Sequence, residues 1–536
     1  MKYESLLIVG TLFLSACAPQ PSDMGMDHQQ MDHGMMRGDN TVDAGGTSTL
    51  LSGKDIDLST LPEAQAPQML EIADGGTIDL NPTIVKKTIN GASFAFYAYN
   101  GQFPGPTIKV KQGSTFTVRV KNGIDQPTTI HWHGIRLENR FDGAAGVTQE
   151  AIEPGGSFTY TVVVPDEGMY WYHPHVREDI QQDLGLYGNL WVASKSTDIY
   201  ASVNAEIPVM LDDILLGRNG LPLSYGKDDA DHALMGRFGN TMLINGQTNP
   251  QIAQAKTGDV IRFFFTNAAN TRTFKLAFDG AKMKLVGGDG GKTGTEKFVD
   301  SVTIAPSERL IVDVLFEKSG EVTLKHIGPE RYALGLVTVE NTSAFPSYGR
   351  EFSSLRTNED MAAAADLIRE FSAKEPDETI HLSVKQPMMG EMQHGGMMQH
   401  GTTVDGIEWE DAMPMMNAVT TKANTQWKII DEASGKENMD IHYAFTKGDK
   451  VKIRIVNDKD SAHPMQHPIH FHGQRFLVLS VNGKPSEDLV WKDTVLVPKD
   501  AAVDILLDVT NPGDWMLHCH IAEHLSNGMM GTFTVE

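Results

Sequence analysis

Three strand-like runs in this chain open on a glycine and close nine residues later on an asparagine: Gly113 to Asn122, Gly258 to Asn267 and Gly448 to Asn457. Each interval alternates apolar and polar residues. A period of two sends every second side chain to one face, the pattern of a strand with a buried side. Asn-Gly-Gln precedes the first two copies, at Asn100 and Asn245. A second frame recurs downstream: Gly168 to His173, Gly320 to Lys325 and Gly513 to His518 share a spacing of five. After residue 70, short runs rich in Val, Ile, Thr and Phe alternate with Gly, Pro and Asn, which is an all-β pattern. The repeats predict three tandem Greek-key β-sandwich domains at residues 71–195, 196–345 and 376–536. A linker at 346–375, helix-tolerant around Asn358–Ala373, separates the last two. The length of 536 residues agrees with about three domains at ~150 residues each.

The first and third repeats carry a chemistry that the second lacks. His131-Trp-His133 and His173-Pro-His175 lie in the first, and His470-Phe-His472 and His518-Cys-His520 in the third. On an extended strand each His-x-His pair projects two imidazoles from one face, and Cys519 points to the other. Four pairs from two domains can converge as eight imidazoles, too many for one ion and suited to a cluster of three copper ions. Closed structural zinc sites use smaller tetrahedral Cys/His sets. Cys519, with His524 five residues and Met529 ten residues on, offers a thiolate, imidazole and thioether set, as in a blue-copper electron-transfer site. In the middle repeat, Leu276 and Phe278 stand where His131 and His133 would be. The sandwich itself therefore does not require the pairs.

HWHG, HPH, HPIHFHG and HCHIAEHLSNGMM, in that order, resemble the four copper motifs of the three-domain multicopper oxidases, which include bacterial laccases and periplasmic cuprous oxidases. The resemblance covers roughly residues 75–536 and implies cupredoxin-like domains with four copper ions. It places type 1 copper on His467, Cys519, His524 and axial Met529, and type 2 copper on His131 and His470. It places the type 3 pair on His133, His173, His175, His472, His518 and His520. It further implies that electrons from a reducing substrate enter at Cys519 and pass through the covalently adjacent His518 and His520, where O2 is reduced to water. Asp142 resembles the acidic residue of the family that supplies protons or positions water. Related bacterial enzymes often carry an acid directly after the second type 1 histidine. Here that position is Leu525, with Glu523 as the nearest carboxylate. His232, His326, His381 and His442 are read as ordinary surface or turn residues.

The 26 methionines cluster, and one cluster bears on the substrate. Met388, Met389, Met392, Met397 and Met398, with His394 and His400, form a Gly-interrupted run within a Met-rich loop at 387–416. Cuprous oxidases resemble it in carrying a Met-rich insertion at a similar place. Met465, two residues before His467, sits where those enzymes place a substrate-copper thioether, and His463 stands at a position that is acidic in them. The expected substrate is therefore Cu(I), in copper tolerance. A laccase acting on small phenols, or a copper-sequestering lipoprotein with incidental turnover, are the alternatives.

Residues 1–16 resemble a lipoprotein signal peptide, with Cys17 as the acylated residue of an extracytoplasmic, membrane-anchored chain. Residues 17–70 are polar, contain interleaved Met and His, and are expected to be a disordered tether. A net charge of −24 argues against nucleic acid as a partner. The chain is expected to work as a monomer.

Overall fold

The computed structural model describes residues 47–49, 55–386 and 403–536. The repeated strands form as their alternation requires. In Thr115–Lys121 the side chains of Phe116, Val118 and Val120 turn inward, and in Lys450–Asn457 Val451, Ile453 and Ile455 do. The middle copy, Val260–Asn267, is buried on both faces. Its outer face is covered by the first domain, where Met169 and Trp191 pack on Phe264.

Each domain pairs a five-stranded sheet with a second sheet across an apolar core. In the first, the five strands run Met69–Glu71, Thr107–Lys111, Gly188–Ala193, Gly168–His173 and His131–His133. The middle domain repeats the last four as Gln251–Thr257, Arg331–Ser343, Gly320–Ile327 and Phe274–Phe278, and adds Val302–Ile304 at that edge. The third uses His442–Phe445, Met530–Val535, Gly513–Cys519, His467–Phe471 and Thr494–Val497. These are cupredoxin-like sandwiches, and the repeated sheet explains the histidine pattern. His131 lies directly across from His173, and His470 from His518, on antiparallel neighbours.

The middle domain departs from the sequence frame by one residue. On the antiparallel neighbour of Phe274–Phe278 it is His326, not Lys325, that lies opposite Leu276. His326 is fully buried, its Nδ1 accepts from the backbone N–H of Lys275 at 3.1 Å, and its ring lies 5.5 Å from that of Trp409. His232 is buried too, beside Asp231. Neither lies on the surface, though His232, with φ +56°, stands directly before a turn.

The expected tether runs too far toward the first domain. Asp57 caps a short turn at Leu58–Thr60, Leu58 is buried, and Met69–Glu71 pairs in parallel with Thr107–Lys109. Residues 55–70 are thus structured, because their few apolar side chains complete the first domain. The Met/His-containing part of the tether and Cys17 lie outside the described residues. In the 346–375 stretch, Ala362–Ser372 is a helix whose Leu367, Ile368 and Phe371 pack on Leu477, Leu479 and Leu506 of the third domain.

Candidate metal centre

Two sets of donors sit back to back around the strand Gly513–Cys519. On one side, Cys519 at its end meets His467 from the strand His467–Phe471 and His524 from the short helix Ala522–Ser526. Cys519 Sγ lies 3.5 Å from His467 Nδ1 and 3.7 Å from His524 Nδ1, and the two nitrogens are 3.2 Å apart. Met529 is fully buried in the same apolar cluster as Cys519. Trp427 covers the site, its ring 4.0 Å from that of His524 and 4.8 Å from that of His467. Burial pushes the Cys519 thiol up and holds His467 down to about 3. A cation is therefore needed to draw the thiolate out.

On the other side, all eight histidines of the four pairs converge, none more than 6% exposed. Rings of the first domain stack on rings of the third: His133 on His470 at 3.7 Å and His131 on His472 at 4.1 Å. The donor nitrogens fall into three groups, each within 4.8 Å: His131, His133 and His470; His133, His173 and His520; His175, His472 and His518. Burial first, and neighbouring rings second, hold His133, His173, His470, His518 and His520 well below the ordinary value. Their lone pairs are thereby available to a metal.

The donor set passes a test of fit. In most of these rings one nitrogen is bonded to the protein and the other is left over, the arrangement that fixes a metal-binding tautomer. His131 Nδ1–H donates to the Asp142 carbonyl at 2.8 Å, His470 Nδ1–H to the Asp493 carbonyl at 2.8 Å and His173 Nδ1–H to the Pro174 carbonyl at 2.8 Å. Their Nε2 atoms are buried and have no partner among the described residues. His133 is reversed: Nε2–H donates to Asp493 Oδ1 at 3.0 Å, and Nδ1 is the orphan. Such a row of buried, unsatisfied imidazole nitrogens is costly unless something binds them. The thiolate and imidazole chemistry suits copper.

Carboxylates orient the remaining rings. Asp142, fully buried, accepts from His472 Nδ1–H through Oδ2 at 2.8 Å; its Oδ1 lies 3.4 Å from His131 Nδ1 and has no hydrogen-bond partner among the described residues. Burial alone would raise Asp142, but His472 and His131 pull it below the usual carboxylate range. Gly143, with φ +89°, lets this turn lie against the Ile130 carbonyl; an added Cβ would sit 2.0 Å from that oxygen. Glu178 Oε1 lies 3.0 Å from His175 Nδ1, and it lifts His175 against the opposing effect of burial. Glu178, Asp493 and Trp427 carry no motif, and sequence reasoning missed them. Only Glu178, three residues past His175, had a local signal.

Leu525 packs on Ala144 and Met516, so no carboxylate occupies that place. Glu523 is buried, held up to about 8 chiefly by burial, and its Oε2 accepts from Thr271 Oγ1 at 3.3 Å in the middle domain. Met465 is fully buried in the third-domain core with Cys519 and Met529. Met388, Met389, Met392, Met397 and Met398 lie outside the described residues.

Three multicopper oxidase family models match the chain, at residues 83–197, 222–322 and 408–536. The chain is 28% identical to the multicopper oxidase mco of Staphylococcus haemolyticus, over 82% of this chain and 83% of that one. It is 25% identical to a copper resistance protein A homolog of Pseudomonas syringae, over 91% and 97%. Among solved structures, a Campylobacter jejuni multicopper oxidase described as a metallo-oxidase superposes with a TM-score of 0.66, at 25% identity, over 89% of this chain and 98% of that one. The chain belongs to the bacterial multicopper oxidases, and it is an oxidase.

One consequence of the histidine burial is measurable without metal. His467 and His472 are each held down to about 3 from 6.5, by burial first. Between those values the unfolded chain binds protons that the folded chain refuses, so stability falls as pH falls. These two residues alone give a slope of about 3 kcal/mol per pH unit between pH 6 and 4. Urea unfolding of the copper-free protein at pH 6, 5 and 4 should show stability falling as pH falls, offset in part by buried carboxylates such as Glu408 and Glu523, whose raised values act in the opposite direction; stability rising toward pH 4 would contradict the buried neutral histidines.

Proposed function

We propose that this oxidase couples the oxidation of Cu(I) to the four-electron reduction of O2 to water, in copper tolerance, using one type 1, one type 2 and two type 3 copper ions. Cys519, His467 and His524 would hold a copper ion that supplies one-electron redox chemistry, and the eight imidazoles would hold the copper that supplies O2 reduction. The chain's own part is orientation and proton handling. Asp142 keeps one oxygen on His472 and one unbonded, so it can hold water or pass a proton without releasing the imidazole.

The observation that carries the Cu(I) reading is where the Met-rich segment is anchored. The backbone N–H of Glu408 donates to Gln466 Oε1 at 2.8 Å, and Gln466 Nε2 donates back to the Glu408 carbonyl at 3.0 Å. Gln466 immediately precedes His467, so the downstream flank of residues 387–402 is pinned beside the Cys519 set. The same contact brings the Glu408 carboxylate within 3.8 Å of His463 Nε2. It supplies from another segment the acid that position 463 lacks, and burial lifts it to about 7. A metallo-oxidase and a copper resistance protein among the relatives support this reading. The test is O2 consumption with Cu(I) and with a small phenol, before and after deleting Gln386–His400. Loss of the Cu(I) rate with the phenol rate kept or raised is expected. An unchanged Cu(I) rate transfers the assignment to a laccase.

The proposal includes an extracytoplasmic location, tethered through a lipid on Cys17 and reached as a monomer. Mass spectrometry of the membrane fraction should find an acylated N-terminal peptide beginning at Cys17. An unmodified, soluble mature chain would remove the anchor.

A further inference from the structure

The middle domain contributes no member to either donor set among the described residues, yet it sends one side chain to the edge of the histidine cluster. Arg309 is fully buried where the three domains meet. Its Nε–H donates to the Met169 carbonyl of the first domain at 2.9 Å. Its Nη1 donates to the Ser307 carbonyl at 2.8 Å and to Asp493 Oδ1 of the third domain at 2.7 Å. Its Nη2 donates to the Asp289 carbonyl at 3.3 Å and, closely, to Asp493 Oδ2. All five guanidinium hydrogens are thus used, and both carboxylate oxygens of Asp493 are fixed in a fork.

Asp493 in turn holds two histidines of the cluster, one from each copper-binding domain. Its Oδ1 accepts from His133 Nε2–H at 3.0 Å, and its backbone carbonyl accepts from His470 Nδ1–H at 2.8 Å. These are the rings that stack at 3.7 Å. Lys492, the preceding residue, reaches back to Asp289 Oδ2 at 3.0 Å and Glu308 Oε1 at 3.1 Å, so the segment is tied twice to the middle domain. The glycine after His133 belongs to the same device. A Cβ on Gly134 would lie 2.3 Å from Asp493 Oδ2 and 2.9 Å from Arg309 Nη2.

We infer that Arg309 is a positioning residue for the three-copper group, acting through Asp493 on His133 and His470. The group is then geometrically complete only when all three domains have docked. A buried ion pair serving only as interface packing could be replaced by apolar side chains at little cost. A partner that orients metal-binding imidazoles could not, since losing such a partner costs about 10–100-fold in metal affinity. The inference rests on the three-copper assignment above, which total copper in the unsubstituted protein tests separately. It holds for either Cu(I) or a phenol as donor.

The experiment compares Arg309→Met with Arg309→Lys, and with Arg262→Met as a control. Arg262 is buried against Asp313 within the middle domain and touches no histidine of the cluster. The readouts are copper per chain after dialysis against a graded chelator, the type 2 electron paramagnetic resonance signal and the blue absorption of the Cys519 site. Arg309→Met should bind the trinuclear copper 10–100-fold more weakly, with a shifted type 2 signal and unchanged blue absorption. Arg309→Lys should fall between it and the parent. If Arg309→Met fails to fold, Asp493→Asn, which keeps the volume and removes the charge, is read the same way. The inference is overturned if the type 2 signal and copper content are unchanged. It is equally overturned if blue absorption falls in step with them, or if Arg262→Met reproduces the effect.

Discussion

Cys519→Ser should abolish the blue absorption and lower O2-consuming turnover to roughly one thousandth or less, while about three coppers per chain remain. The reason is the position of one sulfur. Cys519 Sγ is the thiol donor facing the Nδ1 atoms of His467 and His524, and its two sequence neighbours belong to the other donor set. A serine hydroxyl keeps the volume and the buried strand but offers neither thiolate nor covalency. The eight imidazoles are untouched, because they are held by their own partners: Asp142, Asp493, Glu178 and backbone carbonyls. Absorption spectroscopy, copper analysis and an oxygen electrode check all three parts. Retained turnover in the serine variant would mean that electrons enter elsewhere.

Asp142→Asn should have the second largest effect, a loss of turnover of about 100-fold or more, with blue absorption unchanged. Asparagine can still offer a carbonyl oxygen to His472 Nδ1–H, and the main-chain bond from His131 does not involve the side chain. The substitution therefore separates the two roles of this residue. If Asp142 only orients His472, the asparagine variant should run near the parental rate. If it transfers protons, the rate falls although copper content holds. Proton handling also leans on Asp142 because Leu525 is packed on Ala144 and Glu523 is turned toward Thr271.

What could be read in the sequence was whatever a strand's period of two encodes locally. The four His-x-His pairs, the opposite-facing Cys519 and the three repeated strands are all short-range patterns, and the fold places them accordingly. The same logic failed where backbone irregularity intervenes. The middle domain's pairing stands one residue off the Gly-to-His frame and puts His326, buried, opposite Leu276, which no alternation rule reveals. It also fails where partners are remote in sequence. Asp493 stands 360 residues from His133, and Arg309 lies in another domain. Ordinary-looking Arg and Asp residues acquire roles only through docking. Residues 55–70 read as polar linker because their ordering comes from one added edge strand and the buried Leu58, not from a periodic core pattern.

The most direct test of the whole account is the number of electrons consumed per O2. A one-electron donor and O2 are followed together in copper-loaded protein, with peroxide assayed at the end. A ratio of four with no peroxide is expected, since the eight buried imidazoles are arranged to hold a three-copper group next to the Cys519 site. A ratio of two with peroxide accumulating would contradict it, because it would mean that the cluster does not act as one centre.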